Sequence, residues 1–275
     1  DFDLIGLAMQ EPQYRPPGVK ELLDKVARSG KPCMSIMNMP PLAYLKRIPS
    51  IDADAIRDSY TDASVWDSFD PATITLCSPD PQAFRPPEEK VNVLQVRLAT
   101  NFKSARFDSE AHTQILRNLE KDIDASRFEV NGEKIELPVK LKTHESVFVP
   151  LAKWAMLCSG NYRCVQKDAM RPIKEAVHSD LDASRAVYDW VVKLCVSLGA
   201  NPRDMVPFDK YANAALSLLT PSSAARALAN GAPNIERVDR LVQTIARSKG
   251  MQLDELDKTV TLVDGWLAKN RAKAA

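Results

Sequence analysis

Residues 145–170, ESVFVPLAKWAMLCSGNYRCVQKDAM, carry two patterns on one stretch. Val147, Leu151, Trp154, Ala155, Cys158, Tyr162 and Val165 recur at helical spacing and form an apolar stripe. A second line runs through Lys153, Leu157, Gly160, Asn161 and Cys164 and mixes a cation, an amide and a glycine. On a regular helix Lys153 and Asn161 stand about 80° apart and two turns along the axis. Polar groups on the solvated back of a helix need no special reason. These flank the apolar stripe, where the wall of a cleft would hold them. An amphipathic helix with a snorkelling lysine is the plainer reading of the same pattern. The helix starts no earlier than Val147, because Pro150 fits only its first turn.

The chain before this stretch reads as α/β. Phe2 to Met9, FDLIGLAM, is a short apolar run that leads into Gln10-Glu11-Pro12 and predicts a buried strand. Pro16-Pro17-Gly18 opens a helix whose face is Val19, Leu22, Leu23 and Val26, stopped at Ser29-Gly30. Pro32 to Met37 is a second buried strand, ended by Asn38 and the Pro40-Pro41 pair. Strand, helix and strand with short connections make a parallel βαβ unit. Ligands of such sheets meet the loops at the carboxyl ends of the strands, which brings residues 10–14 and 38–41 to one edge. Ala72 to Cys77 and Val91 to Ala99 predict further strands around the proline-rich loop 79–87. Asp108 or Ser109 is placed to cap a helix bearing Ile115, Leu116, Leu119 and Ile123. Asn131-Gly132 between alternating segments of residues 128–137 is a hairpin signal.

After residue 140 the pattern is helical throughout. Ser179 is placed to cap a helix stopped by Gly199, and residues 208–219 predict another. Thr220-Pro221 reads as an N-cap and first helical position, with Ser222 and Ser223 in the first turn. Asn234 is placed to cap the helix that ends at Gly250, and Asp254 to Lys269 closes the chain. The expected architecture is therefore α/β plus all-α: a partial Rossmann-like domain over residues 1–140 and a helical domain over 141–275.

Composition bounds the function. The 275 residues are 45% hydrophobic and 27% charged, with a formal net charge of +1, which gives no electrostatic ground for nucleic acid or an anionic membrane. No apolar run approaches the roughly 20 residues of a membrane span and no signal peptide is visible, so a cytoplasmic protein is expected. Five cysteines without a Cys-x-x-Cys pair suit reduced, buried packing residues, and the three distant histidines give no metal-ligand spacing. Glycine is scarce, at 9 residues, and no Gly-x-Gly-x-x-Gly or P-loop occurs.

Three local motifs, in order along the chain, give it a resemblance to ketopantoate reductase and its relatives. That family joins a Rossmann domain to a helical domain like that of 6-phosphogluconate dehydrogenase. Ser35-Ile36-Met37-Asn38 resembles the family's strand before its Asn-Gly turn. Lys153 to Asn161 resembles its Lys-x-x-x-Asn-x-x-x-Asn helix. Pro221-Ser222-Ser223 followed by Asn234-Ile235-Glu236 resembles its Ser-Ser and Thr-Glu-Ile-Asp segments. The resemblance implies hydride transfer between NADP (or NAD) and a small 2-oxo or 2-hydroxy acid. It implies Lys153 as catalytic acid, Asn38, Asn161, Ser222 and Asn234 as substrate-binding residues, and Met9, Gln10 and Asn38 near the cofactor. Four departures stand out. The Asn-Gly turn is Asn38-Met39-Pro40-Pro41 here, the helix's middle asparagine is Leu157, and the strand ending in a cofactor-contacting lysine reads Ala8-Met9-Gln10. Counting back from Gly250 sets Asn234 where the family has its substrate-binding glutamate.

Opening at Asp1 on a buried strand, the chain is expected to be the later part of a longer protein whose Gly-rich turn lies upstream. Reduction of a 2-oxo acid needs a proton for the developing alkoxide and an anchor for the carboxylate. Lys153 suits the first. Ser222 in a first helical turn suits the second, and Asn38 and Asn161 suit neutral hydrogen bonds to the substrate. Each has a plain alternative: Asn38 as a strand end, Ser222 as a first-turn residue, Asn234 as an N-cap. With an asparagine in place of the glutamate, ketopantoate itself is expected to be a poor substrate. An opine or glycerol-phosphate type dehydrogenase, and a degenerate relative that binds a metabolite or partner without catalysis, remain as other readings. The broad apolar faces of the helical part leave a homodimer open.

Overall fold

The computed structural model describes residues 2–79, 83, 84, 88–90, 92, 93, 95, 96 and 100–274. β1 (Ile5–Leu7), α1 (Pro17–Arg28) and β2 (Cys33–Ile36) form the start of the sheet, and β1 and β2 pair in parallel with Ile5 opposite Cys33. The short helix α2 (Leu42–Leu45) follows, and β3 (Ile74–Pro79) pairs in parallel with β2. The chain then reverses direction. β6 (Thr100–Ala105) lies antiparallel to β3, and β9 (Val139–His144) extends it in parallel, giving the order β1-β2-β3-β6-β9. Most of the proline-rich loop 79–87 and of the run 91–99 lies outside the described residues. Within them, β4 (Ala83–Phe84) pairs with β5 (Gln95–Val96) as a short ladder of its own. The antiparallel partner of β3 is therefore the run that starts at Thr100.

Strand alternation divides the buried residues between two faces. Cys33, Ile74, Leu76 and Ala105 point into the large core that continues among the helices. Met34, Cys77 and Leu141 point the other way and pack with Phe107 and Leu116 under α3 (Glu110–Ala125). Ser109 caps α3, its side chain accepting from the His112 amide. The hairpin of β7 (Arg127–Val130) and β8 (Glu133–Glu136) turns at Asn131 and Gly132, both at positive φ, and all eight of its strand residues are exposed. β9 then carries the main sheet on to His144, so regular helix begins only after it.

The helical part comprises α4 (Lys153–Met156), α5 (Ile173–His178), α6 (Leu181–Ser197), α7 (Phe208–Ala215), α8 (Ser223–Ala229), α9 (Val238–Ser248) and α10 (Asp254–Ala274). Its caps differ from the sequence expectation in three places. Asp180, not Ser179, caps α6. Ser222, not Thr220, caps α8, which sets Ser223 as its first residue. Arg237 precedes α9 without a side-chain cap, and Asn234 lies three residues further out. No helix among the described residues is long and apolar enough to cross a membrane.

Candidate functional site

Residues 150–164 do not form the single regular helix that their apolar period predicts. A 3-10 turn (Pro150–Ala152) leads into α4, a π-helical turn covers Leu157–Asn161, and a second 3-10 turn covers Tyr162–Cys164. In a π turn each N–H reaches the carbonyl five residues back, so residues beyond it fall out of phase with the α stripe. The 80° separation of Lys153 and Asn161 therefore does not hold. The cause lies 55 residues away. The Tyr211 hydroxyl donates to the Met156 carbonyl at 3.1 Å, and a side chain entering the helical ladder is a recognised source of such irregularity. Gly160 makes room for it: a Cβ there would stand 1.9 Å from the Tyr211 oxygen. On the next turn Ser222 ties the segment down, donating to the Asn161 carbonyl at 2.7 Å while accepting from the Ala225 amide at 3.2 Å.

Across from this segment lie the carboxyl ends of β1 and β2. Gln10 opens the 3-10 turn Glu11–Tyr14, and Asn38 follows β2. The link between the two sides is Glu236, which is 7% exposed and sits in the irregular residues before α9. Its carboxylate accepts from the Met39 amide at 3.2 Å and from the Asn38 side-chain amide at 3.3 Å. Its backbone carbonyl accepts from the buried Tyr162 hydroxyl, which in turn accepts from the Val238 amide at 3.0 Å. One glutamate thus joins the strand ends to the irregular helical segment.

Gln10, Asn38, Leu157, Asn161, Ser223 and Glu236 line one cleft together with Tyr162, Ala224, Ala227 and Ile235. Burial raises the Glu236 carboxyl above the ordinary carboxylate range, against the Met39 and Asn38 hydrogen bonds and the nearby Lys153 charge. Glu11 is also buried. Desolvation pushes it up to about 7, although it accepts from the Thr61 amide and hydroxyl, both at 2.9 Å. The charge of Glu236 adds to the rise at Glu11. The Asn38 carbonyl oxygen is buried without a hydrogen-bond partner.

Of the residues singled out from sequence, Asn38, Asn161 and Gln10 border the cleft. Lys153 is half-buried at the start of α4, one turn before Leu157, and its charge acts on both Glu236 and Cys77. Ser222 is buried behind the lining, its hydroxyl committed to Asn161 and Ala225, and its neighbour Ser223 faces the cleft. Asn234 stands outside the lining, where its side chain accepts from Arg271 at 3.1 Å. Met9, at the end of β1, is exposed and also outside the lining. Glu236 and Tyr162 carry the geometry and went unassigned. In sequence, the signal that could have marked Glu236 is a charged residue between the apolar Ile235 and Val238. The site that was expected without a carboxylate contains one. Among the described residues no group of three potential metal ligands occurs, and the five cysteines are free and buried.

The fold has solved counterparts. It matches a D-mandelate dehydrogenase solved with NADH and anilino(oxo)acetate at a TM-score of 0.66 and 11% identity, over 98% of this chain and 78% of that one. A 2-dehydropantoate 2-reductase from Methylococcus capsulatus matches at 0.63 and 11%, over 98% and 75%. A ketopantoate reductase from Staphylococcus aureus, described as dimeric, matches at 0.57 and 12%, over 98% and 78%. The chain therefore has the two-part fold of the ketopantoate reductases, a Rossmann-like sheet followed by a helical region. No family model and no curated protein matches its sequence.

Proposed function

We propose that this protein moves a hydride between a nicotinamide cofactor, NADPH or NADH, and a small 2-oxo or 2-hydroxy acid. The observation that carries the reading is the meeting of Asn38, Asn161 and the buried Glu236 in one cleft at the carboxyl ends of parallel strands, beside the charge of Lys153. Ligands of open α/β sheets bind in that position. The buried Asn38 oxygen without a partner fits a nicotinamide, since it would accept from the carboxamide N–H, with Gln10 beside it on the same edge. The bound nicotinamide would supply the hydride.

The chain's own residues would do the rest. Asn161 would donate its side-chain N–H to the substrate's carbonyl oxygen and orient it. Lys153 would give a proton to that oxygen as negative charge develops, and its own charge would stabilise the alkoxide meanwhile. Glu236, held by Met39 and Asn38, would accept from the product hydroxyl and favour the charged lysine. Ser222 would act through Asn161, fixing the backbone that carries it.

A cleft without a carboxylate would disfavour ketopantoate as substrate. Glu236 removes that ground and leaves Leu157 as the difference that bears on substrate choice. The test is nicotinamide oxidation, with NADH and NADPH separately, over a panel of 2-oxo acids that includes ketopantoate. Acid-dependent oxidation is the expected result. A panel that gives none with either cofactor would leave the metabolite-binding reading in its place.

A further inference from the structure

The hairpin β7–β8 is a two-stranded ladder separate from the main sheet, and every residue of its strands is exposed. Such a ribbon is marginal in water unless a further strand or a packed face supports it. Its register sets Phe128 opposite Ile135 and Val130 opposite Glu133, so Phe128, Val130 and Ile135 share one face. At 39%, 40% and 38% exposure, that face is largely uncovered by the described residues. The other face is all charge: Arg127, Glu129, Lys134 and Glu136. Asn131 and Gly132, both at positive φ, close a two-residue turn of type I′, in which the flanking pair Val130 and Glu133 exchanges backbone hydrogen bonds. Pairs alternate from there. Ile135 bonds inward to Phe128, whereas Lys134 and Glu136 aim their backbone N–H and C=O outward along the free edge of β8. Pro138 comes next in that outward series and has no N–H to give, so the edge is limited to these two residues.

We propose that the free edge of β8 pairs antiparallel with the same edge of a second copy of the chain, about a two-fold axis through Ile135. In that register Ile135 meets its own copy, Lys134 faces the partner's Glu136, and Glu136 faces the partner's Lys134. Each outward pair would exchange two backbone hydrogen bonds. Charge singles out this occupant. Lys134-Ile135-Glu136 reads basic, apolar, acidic, and an antiparallel copy presents the reverse, so the edge is complementary to itself. β7 repeats the order in Arg127-Phe128-Glu129, but its arginine is already committed to the Asp124 and Ser126 carbonyls and to Glu136. Lys134 forms no ion pair among the described residues. Glu136 meets Lys140 at 3.6 Å, yet its side chain is 64% exposed and has room for another cation. The seam is short, so the dimer is expected to be weak and to depend on concentration.

The experiment is sedimentation equilibrium of the purified protein over about a 100-fold range of concentration. The samples are wild type, Lys134→Glu, Glu136→Lys and an equimolar mixture of these two variants. Wild type is expected to pass from monomer to dimer. Either reversal sets like charges opposite each other on both sides of the axis and should raise the dissociation constant by roughly tenfold. In the mixture, the two acidic side chains of one variant face the two basic ones of the other, so a heterodimer should form at least as readily as the wild-type dimer. Lys134→Pro removes an outward N–H and leaves the bonds between β7 and β8 in place, so it should abolish the dimer whatever the charges do. Three results overturn the proposal. They are a wild-type protein that stays monomeric, a dimer that the reversals or the proline leave unchanged, as one through the helical faces would be, and a mixture that associates no better than its components.

Discussion

The two sides of the cleft are built in opposite ways. The sheet side is regular: two parallel strands end at neighbouring positions, and their loops present Gln10, Asn38 and the Met39 amide from a fixed frame. The helical side changes helix type three times between Pro150 and Cys164 and is held by hydroxyls from distant residues, Tyr211 and Ser222. Strand geometry positions a group by local pairing, whereas an irregular helix positions one only while its tertiary ties persist. The helical side should therefore be the easier to damage from afar, and the sheet side the one whose stability follows the protonation of its buried acid.

The largest expected effect is chemical. Lys153→Ala should lower turnover by about 10²–10⁴-fold, the usual contribution of a positioned acid, with binding of the 2-oxo acid much less affected. Parallel steady-state and binding measurements check it. Next comes a break in the helical side at a residue outside the lining. Gly160→Ala sets a methyl group against the Tyr211 oxygen and should cost about 2–4 kcal/mol through overpacking and the loss of a buried hydrogen bond. Denaturant unfolding reads this directly.

The sheet side responds to pH instead. Glu11 is pushed up to about 7, so the folded state keeps its proton where the unfolded chain has lost it. Stability should then fall as pH rises from the ordinary carboxylate range to about 7 and level off above it, by on the order of 1–3 kcal/mol. Glu11→Gln should flatten that slope, as unfolding curves at pH 5, 6, 7 and 8 would record. The smallest effect belongs to Ser222→Ala, which loses a helix cap and the tie to Asn161 and should cost about 1 kcal/mol. A rise in KM beyond that of a simple cap mutant would mark its action through Asn161.

The same contrast decided what could be read from sequence. The βαβ unit, the Asn131-Gly132 hairpin and the succession of helices were legible, because each is set by local period and local breakers. The π turn was not, since it depends on a phenol 55 residues downstream of Met156, and period counting across residues 153–161 assumes regularity. Counting also misled at the far end. Sixteen residues back from Gly250 falls on Asn234, but the irregular residues before α9 bring Glu236 into the cleft, and Asn234 turns to Arg271. A spacing measured along a helix stays valid only as far as the helix extends.

The central claim is that Glu236 joins the two sides and serves the cleft. The direct test is kcat/KM for 2-oxo acid reduction in Glu236→Gln and Asn234→Ala, measured side by side with the wild-type protein. Glu236→Gln loses the charge that faces Lys153 and turns an N–H toward the Met39 or Asn38 donors, so a fall of at least about tenfold is predicted. Asn234→Ala should stay within about twofold, as a surface change does. A large loss in Asn234→Ala with Glu236→Gln near wild type would contradict the account.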